Sequence, residues 1–177
     1  MIIHSSSLII FGKINKLRIL RGLYDLLYIT KDIYEETVEE GILINAPDSR
    51  IIQKAIDNKE IKVLPLDKKY TGFSKELRKT YNQLGTGEAD AIALALQKKQ
   101  KEIIMDERLG RQVCKLYDLK PIGTLRIVLN AYEKNIIKEK ELRELIKEII
   151  RNKFRIGADV INEFWLIFDK LKKKKNR

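Results

Sequence analysis

The chain of 177 residues is long enough for one domain with a substantial core and too short for two full domains. An apolar fraction of 44% excludes a wholly disordered chain, and a single cysteine, Cys114, excludes an intramolecular disulfide or a cysteine-based zinc site, so the expected setting is a reducing cytoplasm. A net charge of +11 makes polyanions the natural partners, whether RNA, DNA or an acidic protein.

The chain opens MIIHSSSLII, where Ile2 and Ile3 read as a short buried strand that emerges at His4, the only histidine, into a serine run. Further strand candidates at 26–29, 61–64, 103–105 and 121–122 alternate with helical patterns. That alternation predicts an α/β fold built from βα units around a mainly parallel sheet. After the second strand, ITKDIYEETVEEG reads as a helix carrying Asp32, Glu35, Glu36, Glu39 and Glu40. Ile33 should point inward and Glu36 lies three residues later on the same side, so Glu36 is expected at the interior end of the sheet, with Asp32, Glu35 and Glu39 as a wet stripe.

In LGTGEADAIALALQKK, Ala89, Ile92, Ala93 and Leu96 fall at i, i+3, i+4 and i+7, while Ala91, Leu94 and Ala95 fill the other side. The spacing predicts a helix buried nearly all round. Asp90 sits in its first turn between two buried alanines, a position where a carboxylate must be paired or bound to a metal. Glu88 reads equally well as a helix cap. GTGEAD is also half of a dinucleotide fingerprint, but Asp90 stands where the third glycine would be, and its charge would repel a pyrophosphate. Asp106 ends the next strand, and Arg108 and Arg111 follow it at helical spacing, either as an exposed face or as phosphate contacts; Lys13 and Lys16 admit the same two readings.

Leu125, Val128, Leu129 and Tyr132 make one later helical stripe, and Leu142, Leu145, Ile146 and Ile149 make another. A last helix, roughly 158–171, carries Val160, Phe164, Trp165 and Phe168, and residues 172–177 read as a basic, mobile tail. No repeat or flexible linker divides the chain, so residues 1–157 form one domain against which the last helix packs or through which it offers an interface. No stretch approaches the roughly 20 apolar residues of a membrane span.

Ligands of parallel α/β sheets bind beyond the carboxyl ends of the strands, where His4 and Asp106 share an edge. Carboxylates gathered there repel one another unless a hard divalent cation such as Mg²⁺ or Mn²⁺ intervenes. On a basic protein that combination suggests hydrolysis of a phosphodiester.

The segments MIIHSSSLIIFGKINKLRIL, DIYEETV, LGTGEADAIALALQKK and IIMDERLGRQVCKLYDLKPIGTL, and more faintly FRIGADVINEF, resemble PIN-domain proteins of the subgroup related to VapC-type toxins. The resemblance implies a three-layer α/β/α sandwich that cleaves RNA with Mg²⁺ or Mn²⁺ held by three or four acids. It places those acids at Glu36, at Asp90 with Glu88 beside it, and at Asp106, and it matches Ser6 to the hydroxyl of a D-x-S motif. The acid of that motif falls at position 4, where this chain has His4. An imidazole offers one neutral nitrogen in place of charged oxygens and suits Mn²⁺ or softer metals better than Mg²⁺. His4 is therefore an atypical ligand, the mark of a weakened nuclease, or the mark of a fold that has kept RNA or partner binding without the reaction. The resemblance also implies RNA as a partner, a small antitoxin, and a homodimer for which Phe164, Trp165 and Phe168 could supply the contact.

Overall fold

Five three-residue or shorter segments form a single parallel sheet: β1 Ile2–Ile3, β2 Leu27–Ile29, β3 Ile61–Val63, β4 Glu102–Ile104 and β5 Lys120–Ile122, in the order β3-β2-β1-β4-β5. The structure is a computed structural model that describes residues 1–175. Strands covered on both faces must be apolar throughout, and Ile2, Ile3, Ile29, Ile103 and Ile104 are each 0% exposed. Ile2 pairs with Tyr28 on one side and Ile103 on the other, and Ile3 pairs with Ile104. Pairing ends the strands slightly away from where hydrophobicity alone put them: buried Met105 lies beyond β4, although its N–H still reaches the Ile122 carbonyl at 3.0 Å. Pro121 is tolerated because β5 is an edge strand with one neighbour.

The chain moves outward from β1 to β2 and β3, then crosses back to β4 and β5 on the other side of β1. Crossovers between parallel strands are right-handed, so this reversal puts the two sets of helices on opposite faces of the sheet. On one face α1 (Ser5–Lys13), α2 (Leu17–Leu23) and α5 (Pro47–Asp57) pack together. On the other lie α6 (Lys68–Thr80), α7 (Thr86–Gln97) and α8 (Arg108–Leu116). Between β2 and α5 the chain forms α3 (Lys31–Tyr34), a π-helical turn (Glu35–Glu39) and α4 (Glu40–Leu43). After β5, α9 (Thr124–Glu133) packs on α2 and receives α10 (Glu139–Arg151) and α11 (Ala158–Lys175), which extends the α1 layer. The result is the three-layer α/β/α sandwich expected from the alternation of elements. Helix α7 is buried all round, with Ala89, Ala91, Ile92, Ala93, Leu94 and Ala95 each at 0% exposure.

The aromatic residues of the last helix serve this chain's own core. Phe168 is 0% exposed and meets Tyr132 at 5.1 Å between ring centroids, and the Arg143 guanidinium of α10 lies over both Trp165 and Phe168. The helix also runs past the expected end at 171. Lys172 bonds Glu139 at 3.0 Å, and the Lys175 ammonium lies 4.2 Å from the Tyr132 ring centre and 2.7 Å from Asn135 Oδ1. Lysines in a last helical turn are favoured by the negative end of the helix dipole, which is why the basic run through 175 is helical instead of loose. Residues 176 and 177 lie outside the described residues. No helix among the described residues is long and apolar enough to cross a membrane.

Phe168→Ala is expected to lower stability by about 3–5 kcal/mol, with loss of helix and of tryptophan fluorescence in one urea transition. A separate, earlier transition reported by Trp165 would show that α11 is an appendage and not part of the core.

Candidate active site

Strand β1 delivers its last paired residue, His4, directly into α1: the His4 N–H donates to the Ile104 carbonyl at 3.0 Å, and the helix begins at Ser5. Successive residues of a helix point about 100° apart, so the three serines of its first turn diverge. Ser5 Oγ lies 3.4 Å from His4 Nε2 and hydrogen-bonds the Glu36 carboxylate. Ser6 Oγ lies 3.2 Å from His4 Nδ1. Ser7 Oγ donates to Asp106. One turn of hydroxyls thus holds the histidine and two acids. His4 is buried, and burial lowers its pKa to about 4, so the ring is neutral at pH 7 with one nitrogen donating and the other accepting.

Glu36 comes from the π-helical turn, a widened geometry often found at functional sites. Its approach is set by Ile33, which is fully buried as the spacing predicted. A Cβ added at Gly87 would lie 3.5 Å from His4 Nε2, 3.6 Å from Ile33 Cγ1 and 3.7 Å from Glu36 Oε2, so these three side chains converge on the backbone of Gly87. The residue is exposed as a whole, while its carboxylate reaches inward; desolvation raises its pKa against the opposing Ser5 hydrogen bond. Here lies a cavity of about 530 Å³, lined by His4 and by five carboxylates, Asp32, Glu35, Glu36, Glu40 and Glu88, with no lysine or arginine in its wall.

Glu88 lines the same cavity. Its Oε2 accepts the Gly85 N–H at 2.8 Å, capping α7, while Oε1 is buried without a hydrogen-bond partner and would lie 2.7 Å from a Cβ at Gly110, in the first turn of α8. The side chain is wedged between two helix N-termini, which fits the capping reading of this residue. Burial nevertheless raises its pKa.

Asp90 finds its partners on α6 and α3. Ser74 Oγ donates to it, and its carboxyl shares a hydrogen bond with Asp32, so that burial first and this second acid next push its pKa up to about 6. Asp32, assigned to the wet stripe on sequence, is half-buried and lines the cavity. The signal for it was present: Asp32 and Glu36 are i, i+4 neighbours and therefore share a face.

Asp106 is held by three donors. Its Oδ1 accepts the Thr124 N–H at 2.8 Å, and its Oδ2 accepts Thr124 Oγ1 at 2.7 Å as well as Ser7 Oγ. These bonds tie α1, β4 and the start of α9 together. Ser5, Ser7, Ser74 and Thr124 escaped the sequence reading because a hydroxyl declares its partner only once the chain has folded. The structure therefore brings His4 and Glu36 together at Gly87, with Glu88 in the same cavity wall. Asp90 stands behind Asp32, and Asp106 lies outside that wall.

The family model DUF3368, described as a PIN domain, matches residues 1–169. The chain belongs to this PIN-domain family. No curated protein and no solved structure matches it. PIN domains are generally nucleases and typically use divalent metal ions. The donor chemistry of this PIN domain fits such an ion. Its cavity gathers five carboxylates of which, among the described residues, only Glu35 is in an ion pair, with Lys31 at 2.8 Å; burial holds Glu36 and Glu88 above their ordinary pKa, and one Glu88 oxygen has no hydrogen-bond partner. Among the described residues, no three histidine, cysteine or acidic side chains already stand at ligating distance from a common point.

The predicted phosphate contacts divide. Lys16 is committed to Glu141 at 3.1 Å, alongside Arg18. Arg111 donates to the Met105 carbonyl at 3.0 Å beside Asp106, whereas Lys13 and Arg108 are exposed and form no ion pair among the described residues.

An acid whose pKa rises on folding contributes stability that is present below its unfolded pKa and lost as pH climbs through the folded value. For Asp90 that window runs from 3.8 to about 6. Asp90→Asn cannot ionise, so in chelator its urea midpoint relative to the parent should move upward between pH 4 and pH 7. A gap that stays constant across this range would show that Asp90 does not share its proton with Asp32.

Proposed function

We propose that this PIN domain is an endoribonuclease dependent on Mg²⁺ or Mn²⁺ that hydrolyses RNA to leave 5′-phosphate and 3′-hydroxyl ends. The observation that carries the reading is the cavity of five carboxylates and His4 at the carboxyl end of β1, beside the point where the strand order reverses. Glu36 and His4 would hold the cation, with Asp90 reaching it past Asp32. Asp106 would join from the neighbouring strand: a carboxylate offers about four lone-pair positions, and its three hydrogen bonds leave room for one more. When bound, the ion supplies an activated water and neutralises charge that builds on the phosphate. Ser5 and Ser6 hold the imidazole plane, Ser5 also aims Glu36, and Glu88 keeps the wall rigid by capping α7. A VapC-like role, as a cytoplasmic toxin restrained by a small antitoxin, and assembly into a homodimer are regulatory forms of the same proposal.

A second reading is favoured by one feature. Both nitrogens of the neutral His4 ring already lie within reach of serine hydroxyls, which supports a scaffold that binds RNA or a partner after losing the reaction.

The test is cleavage of a mixed RNA pool by the parent, His4→Asp and Glu36→Gln in Mg²⁺, Mn²⁺ and chelator. The expected result is chelator-sensitive cutting by the parent, stronger in Mn²⁺, reduced about 10²-fold or more in Glu36→Gln; His4→Asp should shift the preference toward Mg²⁺. Cutting that appears only in His4→Asp would establish the second reading, and cutting indifferent to chelator would overturn the metal-dependent one.

A further inference from the structure

The acidic cavity is one side of the Asp106 edge; the other side is basic. A cavity of about 290 Å³ lies beside α1, and one of about 440 Å³ lies between α9 and α11. They share three lining residues, Asp106, Phe154 and Arg155, so the two form one groove that passes Asp106. Five cations line it, Lys13, Lys153, Arg155, Arg111 and Arg126, against the carboxylates of Asp106, Glu107 and Glu163.

Their gathering in one groove around an aromatic ring sets these cations apart. Some lysines and arginines elsewhere are tied to acids: Lys16 and Arg18 to Glu141, Lys120 to Glu102, Arg143 to Glu139. Lys13, Arg126, Lys153 and Arg155 enter no ion pair or side-chain hydrogen bond among the described residues. Phe154 adds an aromatic ring. Helix α10 ends where Lys153 takes the left-handed conformation, φ 58°, and the Phe154 N–H folds back to the Ile149 carbonyl at 3.3 Å. This turn leaves Phe154 half-buried, packed on the core and lining both halves of the groove.

Unpaired cations flanking a ring within one groove match a polyanion that carries flat, unstacked bases. We infer that the segment between α10 and α11 is a guide for a single RNA strand, in which Phe154 stacks on a base and Lys13, Lys153, Arg155 and Arg126 hold successive phosphates. The inference rests on the nucleic-acid reading above but not on cleavage. A duplex keeps its bases stacked and paired and cannot offer one to Phe154. Because the groove passes Asp106 after β4 and the acidic cavity holds His4 after the neighbouring β1, a strand held by the cations runs toward the carboxylates.

Binding of a fluorescein-labelled twelve-nucleotide RNA, measured by anisotropy in chelator across a salt series, tests the guide apart from the reaction. Lys153→Ala/Arg155→Ala should bind at least tenfold more weakly and lower the salt slope by about 1.4, while Lys62→Ala/Lys115→Ala, of equal charge change and outside the groove, stays within twofold of the parent. Phe154→Ala should lose about tenfold affinity with an unchanged slope, and Phe154→Tyr should restore it. Thermal unfolding of each variant shows that the fold persists. Equal losses in the two double variants, an unaltered affinity in Phe154→Ala, or tighter binding of duplex RNA or of single-stranded DNA would overturn the guide. Binding that follows the expected pattern in a protein that never cleaves RNA would leave the guide standing and remove the nuclease; cleavage by a protein whose groove variants bind normally would do the reverse.

Discussion

The His4 N–H to Ile104 carbonyl bond carries parallel pairing one residue past β1 and so decides where α1 starts. Everything at the site follows from that start. A helix that began one residue later would turn the three serines by about 100° and separate them from His4, Glu36 and Asp106. The bond is itself enforced by the core, because Ile2 and Ile3 are buried between helices on both faces and cannot slip along β4 without exposing one of them.

Burial and charge oppose each other around this edge. The fold places Glu36, Glu88 and Asp90 where desolvation favours their protonated forms, and it answers with local donors: a serine for Glu36, a helix N-terminus for Glu88 and a serine for Asp90, whose Asp32 neighbour instead adds to the rise. Asp106 alone among the site acids is surrounded by three donors. Acids held partly protonated by burial would gain from a divalent cation, which favours their ionised form.

Acidic and basic side chains are segregated along one edge of the sheet. The acids come from the β2–α5 connection and the start of α7, the cations from α1, α9 and the turn after α10. The separation arises from topology: the sheet reverses its strand order at β1, so the segments that follow β2 and those that follow β5 reach this edge from opposite sides. A polyanion and a cation can both be accommodated there because neither set neutralises the other.

The sequence by itself determined the layered α/β architecture, the buried helix α7 and the edge that bears His4 and Asp106, because these depend on hydrophobic period and strand ends, which are local. The spacing from Ile33 put Glu36 on the face that turns toward Gly87. The tertiary structure decided which acids share a space. Asp32 was legible only as an exposed helical carboxylate until α7 packed against α3 and brought Asp90 to it, and Lys16 was a free cation until α10 supplied Glu141. The same holds for the lysines of 172–175, which a composition marks as a loose tail and which Glu139 and Tyr132 draw into a helix. Pairings of this kind join residues far apart in the chain, and no period or spacing encodes a partner that only folding brings near.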